Sequence, residues 1–512
     1  MGASQPVDGL DLTQGVEREK LADGSTLAGR VGEEPVLLSR RGDQFFAVSG
    51  VCTHYGAHLA AGVIEGDRAH CPWHHACFDL RTGEALAAPA ISPLKRWRVE
   101  VDGDRIVVRA PLEEAPPPRR LSGTNVRRIV IVGGGAAGFA AAEMLRRRGY
   151  DGALTMLSED ADAPCDRPNL SKDFLAGEAP DEWIPLREDA FYRDHEIDLR
   201  LATQVSGIDA ARRAVLGASG ESFAYDRLLL ATGAAPIRPA GYEHARVHTL
   251  RSLADARAII AATASAKRAV VVGAGFIGLE TAASLRHRGL EVDVIAPEAA
   301  PMLKLLGEEL AHAIQALHEE HGVRFHFGEM AQAFDGRQLK LASGGALAAD
   351  LVILGVGVRP RVELAQQAGL TVSNGIAVDA YLCTSDPNIF AAGDVARYPD
   401  PLGGETARVE HWVAAQRQGQ AAALNMLGAR APFAATPFFW SNHYDLSLRY
   451  VGYASSWDTV EIDGDAARGD FIARYLRNGS ILAAVSAGRD RENLRHQLAM
   501  DEARLRAAPA HF

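Results

Sequence analysis

The chain has 512 residues, 47% of them hydrophobic and 23% charged, with a net charge of −11. At roughly 150 residues per domain this is room for three or four globular domains, and the acidic balance argues against a nucleic-acid partner. The apolar runs are too short to span a membrane, the polar N-terminus lacks a signal core, and five cysteines do not suggest a disulfide framework, so a cytoplasmic protein is expected.

Gly2 after the initiator methionine meets a loose acylation pattern, and we do not read it as an acylation site. From residue 20 to 110 short strand patterns alternate with turns, and "RRGDQ" and "VDGDR" read as hairpins whose glycines supply positive φ. A small all-β domain over residues 1–112 is therefore expected. Inside it "VCTHYGAHL" and "CPWHHACFD" give the spacing C-x-H-x16-C-x-x-H, with Cys52, His54, Cys71 and His74 as candidate ligands. Thiolates and imidazoles in equal number suit either zinc or a [2Fe–2S] cluster. Two loops each giving one thiolate and one imidazole, with Gly50, Gly56 and Gly62 around them, favour tight ligand loops over a zinc-finger helix.

This domain resembles the Rieske ferredoxins. The resemblance implies that the two cysteines hold one iron and the two histidines the other, with a potential of roughly −150 to +300 mV. In respiratory Rieske proteins a disulfide links the ligand loops at the positions of Ala57 and Trp73, so the lower-potential, soluble type is implied. The glycine usual after the second histidine is His75 here, a candidate for unusual tuning, whereas Cys77 reads as a spectator.

Residues 113–126 are rich in proline and charge and read as a semi-stiff linker. After it, strand, glycine loop and helix recur twice, in "RRIVIVGGGAAGFAAAEML" and "KRAVVVGAGFIGLETAASL", about 140 residues apart. Gly133, Gly135 and Gly138 form one G-x-G-x-x-G, and Gly273, Gly275 and Gly278 the other. That spacing allows a tight turn, close approach of a pyrophosphate and close helix–strand packing. Glu159 follows the next strand of the first unit as a ribose-binding acid, but in the second unit Ala296 ends the strand and Glu298 comes two residues later. No arginine stands beside it for a 2′-phosphate, so NADH is expected, with NADPH possible.

Further motifs follow in order: "CDRPNLSK", "LLLATGAAP", "LGVGVRP", "TSDPNIFAAGDVA" and "VEHWVAAQRQG". With them, residues 127–512 resemble the FAD-dependent pyridine-nucleotide reductases of the ferredoxin-reductase and apoptosis-inducing-factor type. The resemblance implies a multidomain chain in which the β domain precedes α/β Rossmann-like FAD and NAD(P) domains and a C-terminal α+β domain. Its boundaries would be 127–241 and 371–432 for FAD, 242–370 for NAD(P), and 433–512 for a C-terminal interface domain. FAD would lie along Gly133, Gly135, Gly138, Glu159, Arg167, Lys172, Thr232 and Gly233, with Asp394 on its ribityl chain and Trp412 near its ring. The nicotinamide nucleotide would take Gly273, Gly275, Gly278, Glu298 and Gly357. Lys172 and Glu280 would meet beside the reacting rings as the catalytic pair. Relatives that reduce disulfides need a cysteine pair at the flavin, whereas Cys165 stands alone in its segment. A dithiol mechanism is not expected, nor is an iron site at His318, His321 and His326.

These readings combine into an NAD(P)H-dependent flavoprotein reductase, a monomer or homodimer, that sends electrons through its own Rieske centre to an outside acceptor. The alternatives are an enzyme reducing a quinone or small organic acceptor at the flavin, and an NADH-sensing redox signalling protein.

Overall fold

In the computed structural model residues 9–112, 125–402 and 404–508 are described. Gly2 and the linker residues 113–124 lie outside them. The expected hairpins are present: Arg41 pairs with Gln44 around Gly42 at φ 59°, and Asp102 with Arg105 around Gly103 at φ 63°. Alternation along these strands sends Val36, Leu38, Trp97, Ile106 and Val108 inward as the core of a seven-stranded sheet. A four-stranded antiparallel sheet, from Val63–Glu65 to Ala85–Ala87, stands on it and positions the second Cys-x-x-His loop.

The two glycine-loop units each build a five-stranded, wholly parallel sheet. Arg128–Val132 lies at the centre of the first and Arg268–Val272 at the centre of the second. Both strands are buried beyond their first residue, as expected of a sheet covered on both faces. The helices Ala136–Arg147 and Phe276–His287 start directly at the glycine loops. The first of them packs on the helix Trp412–Met426 with no room to spare: a Cβ on Gly419 would stand 2.1 Å from the Ala137 carbonyl oxygen.

The C-terminal part is a five-stranded antiparallel sheet, Phe438–His443 to Ser480–Ala487, followed by the helix Asp490–Ala507, an α+β arrangement. Among the described residues no helix is long and apolar enough to cross a membrane.

Candidate active site

The two ligand loops are built alike. The Cys52 amide donates to the Ala57 carbonyl and the Cys71 amide to the Ala76 carbonyl, each at 2.8 Å, so both loops close five residues on. At the fourth residue after the cysteine the chain must turn left-handed: Gly56 takes φ 80° there and His75 takes φ 59°. The usual glycine at that place is thus a backbone requirement, which His75 meets at a cost of about 1 kcal/mol.

The loops bring all four expected ligands together as two pairs. The Nδ1 atoms of His54 and His74 face each other at 3.2 Å. Cys52 and Cys71 are both buried and close enough for each thiol to act on the other, with the loop backbone of His54, Tyr55, Trp73 and His74 favouring the thiolate form. The adjoining Cys71 sulfur and then burial push the Cys52 thiol up, so paired thiolates call for a cation between them. Burial holds both imidazoles neutral, His54 down to about 3, which leaves their Nδ1 lone pairs free to ligate. Among the described residues no three such side chains gather about one point, as a single tetrahedral zinc requires. A sulfur pair and a nitrogen pair fit a two-iron cluster.

A cavity of about 1230 Å³ runs between the two parallel sheets and is floored by both glycine loops. Gly133, Gly135, Arg167, Lys172, Thr232, Gly233, Asp394 and Trp412 line it, as do Glu159, Gly275, Gly278, Glu280 and Gly357. A Cβ on Gly133 would lie 2.1 Å from the Ala231 oxygen, and one on Gly138 would lie 1.9 Å from the Gly133 oxygen. These two glycines serve the turn and the packing, whereas Gly275 has open space above it, where a phosphate can approach. The cleft thus fits two dinucleotides. Glu159 pairs with Arg361 at the rim, Arg167 with Asp160 at 2.8 Å, and Asp394 with Arg251 at 2.6 Å. The Thr232 hydroxyl donates to the Arg361 carbonyl at 2.8 Å. Gly273, at φ 108°, shapes its turn from outside the lining, and Glu298 is half-buried beyond the strand end, its carbonyl accepting from the Gly328 amide.

Lys172 and Glu280 form an ion pair of 2.8 Å inside the cleft, with Glu280 almost wholly buried. Ser171 and Ser441 both donate to the Glu280 carboxylate, so each of its oxygens has a donor. Cys165 sits apart in an apolar cluster with Leu170, Phe174 and Ile184, where burial raises its thiol to about 11. His318, His321 and His326 go to three different partners: His443, Tyr444 and Asp293.

The contacts that sequence reasoning missed lie where the N-terminal domain meets the cleft. Trp440 lines the cleft, and its ring centre is 4.2 Å from that of His74. Tyr55, next in the chain to His54, donates to the Asp166 carboxylate. His75 carries its ring onto Phe438 at 4.1 Å and joins Gln497 at 2.6 Å through Nδ1. Buried Arg417 donates to the carbonyls of His75 and Ala88 at 2.8 and 3.2 Å, and Arg449 to that of Trp73 at 3.3 Å. Cys77 is buried with its sulfur 3.9 Å from His70 Nε2 and its thiol pushed up to about 12. The aromatic run "PFFW" was the one visible signal for Trp440; nothing in it announced the imidazole it would meet.

Two dinucleotide loops facing one cleft, beside a paired thiolate–imidazole site, define a flavin- and nicotinamide-dependent oxidoreductase with a fused iron–sulfur domain. Residues 127–419 match the pyridine nucleotide-disulphide oxidoreductase family, residues 14–98 the Rieske [2Fe-2S] domain, and residues 438–511 the reductase C-terminal domain. The chain belongs to the pyridine nucleotide-disulphide oxidoreductase family. It is 32% identical to apoptosis-inducing factor 3 of Homo sapiens over 494 residues, 92% of this chain and 80% of that one. It is 40% identical to the ferredoxin–NAD(+) reductase component of the anthranilate 1,2-dioxygenase system of Burkholderia cepacia, over 68% of this chain and 88% of the relative. Among solved structures, the covalent putidaredoxin reductase–putidaredoxin complex superposes with a TM-score of 0.71 at 33% identity, covering 74% of this chain and 94% of that one. The expected cofactors, FAD, NAD and a Rieske-type [2Fe–2S] cluster, follow from these domains.

Proposed function

We propose that the protein takes electron pairs from NADH and passes them singly, through its own Rieske domain, to an acceptor protein in the cytoplasm. The observation that carries this reading is the contact of Trp440 with His74, which joins the cleft to the cluster site within one chain. Bound there, FAD supplies the exchange between paired and single electrons, and the cluster a one-electron station. In this reading Gly133, Gly135, Gly138, Glu159, Arg167, Thr232 and Gly233 hold FAD, and Arg251 orients Asp394 toward it. Gly273, Gly275, Gly278, Glu298 and Gly357 hold the nicotinamide nucleotide. Lys172, kept in place by Glu280, and Trp412 position the reacting rings, so that proximity does most of the work. Cys52, Cys71, His54 and His74 ligate the irons. Trp440 excludes water from the space between the two sites. Because a ferredoxin-like domain is already part of the chain, its effective concentration at the cleft is set by tethering rather than by diffusion.

Replacing Cys71 with serine tests this directly. NADH-driven reduction of a cytochrome should be lost, while reduction of a small dye that takes electrons at the flavin persists. Undiminished cytochrome reduction would move the exit of electrons to the flavin itself.

A further inference from the structure

A continuous line of hydrogen bonds leads away from the Lys172–Glu280 pair, and nothing in electron transfer accounts for it. Ser441 donates to Glu280 Oε1; His443 Nε2 lies 3.0 Å from the Ser441 oxygen; His318 Nε2 lies 3.1 Å from His443 Nδ1. Every member is fully buried. With the Ser441 proton committed to the carboxylate, His443 must carry its proton on Nε2, and His318 likewise. All the donors therefore point toward Glu280. The far end is open: His318 Nδ1 is buried without a partner among the described residues. Its ring is covered by Tyr444 at 5.1 Å, on which the exposed His321 stacks at 3.6 Å, so the line ends one side-chain layer below the surface. A buried imidazole without a partner for its second nitrogen is costly unless that nitrogen has a task.

We propose that Ser441, His443 and His318 form a proton relay between the surface at His321 and the carboxylate of Glu280. A hydride entering the cleft brings two electrons and one proton, and so leaves an extra negative charge beside Lys172. A nucleotide in the cleft fills its mouth, and the balancing proton comes from behind. His318 Nδ1 takes a proton and passes the one on Nε2 to His443 Nδ1. His443 passes the one on Nε2 to Ser441, and Ser441 passes its own to Glu280. One proton has then moved inward and each hydrogen bond of the line has reversed. When the two electrons leave, the same proton runs back along the reversed line and restores the starting polarity. The hydride's own proton leaves through the mouth once the nucleotide has gone. Burial keeps both imidazoles neutral at rest, His443 down to about 3, so they hand a proton on and do not store it.

The relay rests on NADH reducing the flavin, and the test separates the two. The holoenzyme is mixed anaerobically with NADH in weak buffer containing a pH indicator, and flavin bleaching and proton uptake are followed together. The wild type should take up about one proton per flavin, in step with bleaching. Ser441→Ala and His443→Phe should each slow that uptake by roughly a hundredfold, and His443→Phe, which does not touch Glu280, should leave its final extent and the flavin midpoint potential unchanged. Glu280→Gln should abolish it. Uptake as fast in both relay variants as in the wild type would overturn the relay, as would a fully bleached wild type that takes up no proton. If NADH fails to bleach the flavin, the nucleotide assignment falls, and photochemical reduction with the same indicator still decides the relay.

Discussion

His74 and Trp440 meet across the boundary between the iron–sulfur domain and the reductase, ring centres 4.2 Å apart and planes at 46°. The same indole lies 6.0 Å from Lys172 Nζ, so one side chain touches both His74, the proposed cluster ligand, and the Lys172–Glu280 pair in the cleft. Trp440→Ala should slow cluster reduction about ten- to a hundredfold, through loss of the apolar cover over His74. Flavin reduction by NADH should hardly change. Stopped-flow traces at the flavin and cluster wavelengths distinguish the two steps.

His75 trades backbone comfort for a grip on the reductase. His75→Gly relieves the left-handed residue, worth about 1 kcal/mol, but deprives the Gln497 side chain of its buried donor and Phe438 of its ring partner, worth roughly 1–3 kcal/mol. The expected result is a larger radius of gyration in small-angle scattering and slower cluster reduction, with the cluster's own absorbance intact.

Asp166 is raised to about 6, chiefly by burial, against the opposing pull of the Tyr55 hydrogen bond and Lys172. A carboxyl whose folded pKa lies above its unfolded value of 3.8 contributes stability below that value. The contribution is lost as pH rises toward 6, and amounts to about 3 kcal/mol in all. Asp166→Asn keeps an acceptor for Tyr55 and removes the charge. Its melting temperature should match the wild type near pH 4 and exceed it by a few degrees at pH 7. A difference that does not grow with pH would show that this carboxylate is not the buried cost assigned to it.

Lys172 and Glu280 are a desolvated pair, so breaking one side costs more than removing both. Lys172→Met should lower stability by roughly 3 kcal/mol, and adding Glu280→Gln should recover most of that loss. Both variants should reduce their flavin slowly. Denaturant unfolding beside NADH stopped-flow separates the stability effect from the catalytic one.

Much of this arrangement was legible in the chain. The period-two strands with Gly42 and Gly103 at their turns, and the two strand–glycine–helix units, are local signals, written within ten or twenty residues of the feature they specify. That Cys52, His54, Cys71 and His74 come together was legible for the same reason, since each loop carries one thiol and one imidazole. What could not be read was the meeting of segments distant in sequence. Trp440 on His74, Tyr55 on Asp166 and His75 on Gln497 depend on how one domain lies on another, and a single strand or loop encodes only its own half of such a contact. His318 shows the same limit from the other side. As part of "LHEEHGVRFH" it looked like one of three histidines without a common purpose, and only the neighbouring sheet supplies His443 as its partner.

The most direct measurement is an anaerobic NADH titration followed by absorbance and low-temperature EPR. The fused relay should take up about three electrons per chain, two at the flavin and one at the cluster, with a rhombic Rieske signal growing as NADH is added. Uptake that stops at about two electrons with no such signal, in protein that carries its full complement of iron, would contradict it.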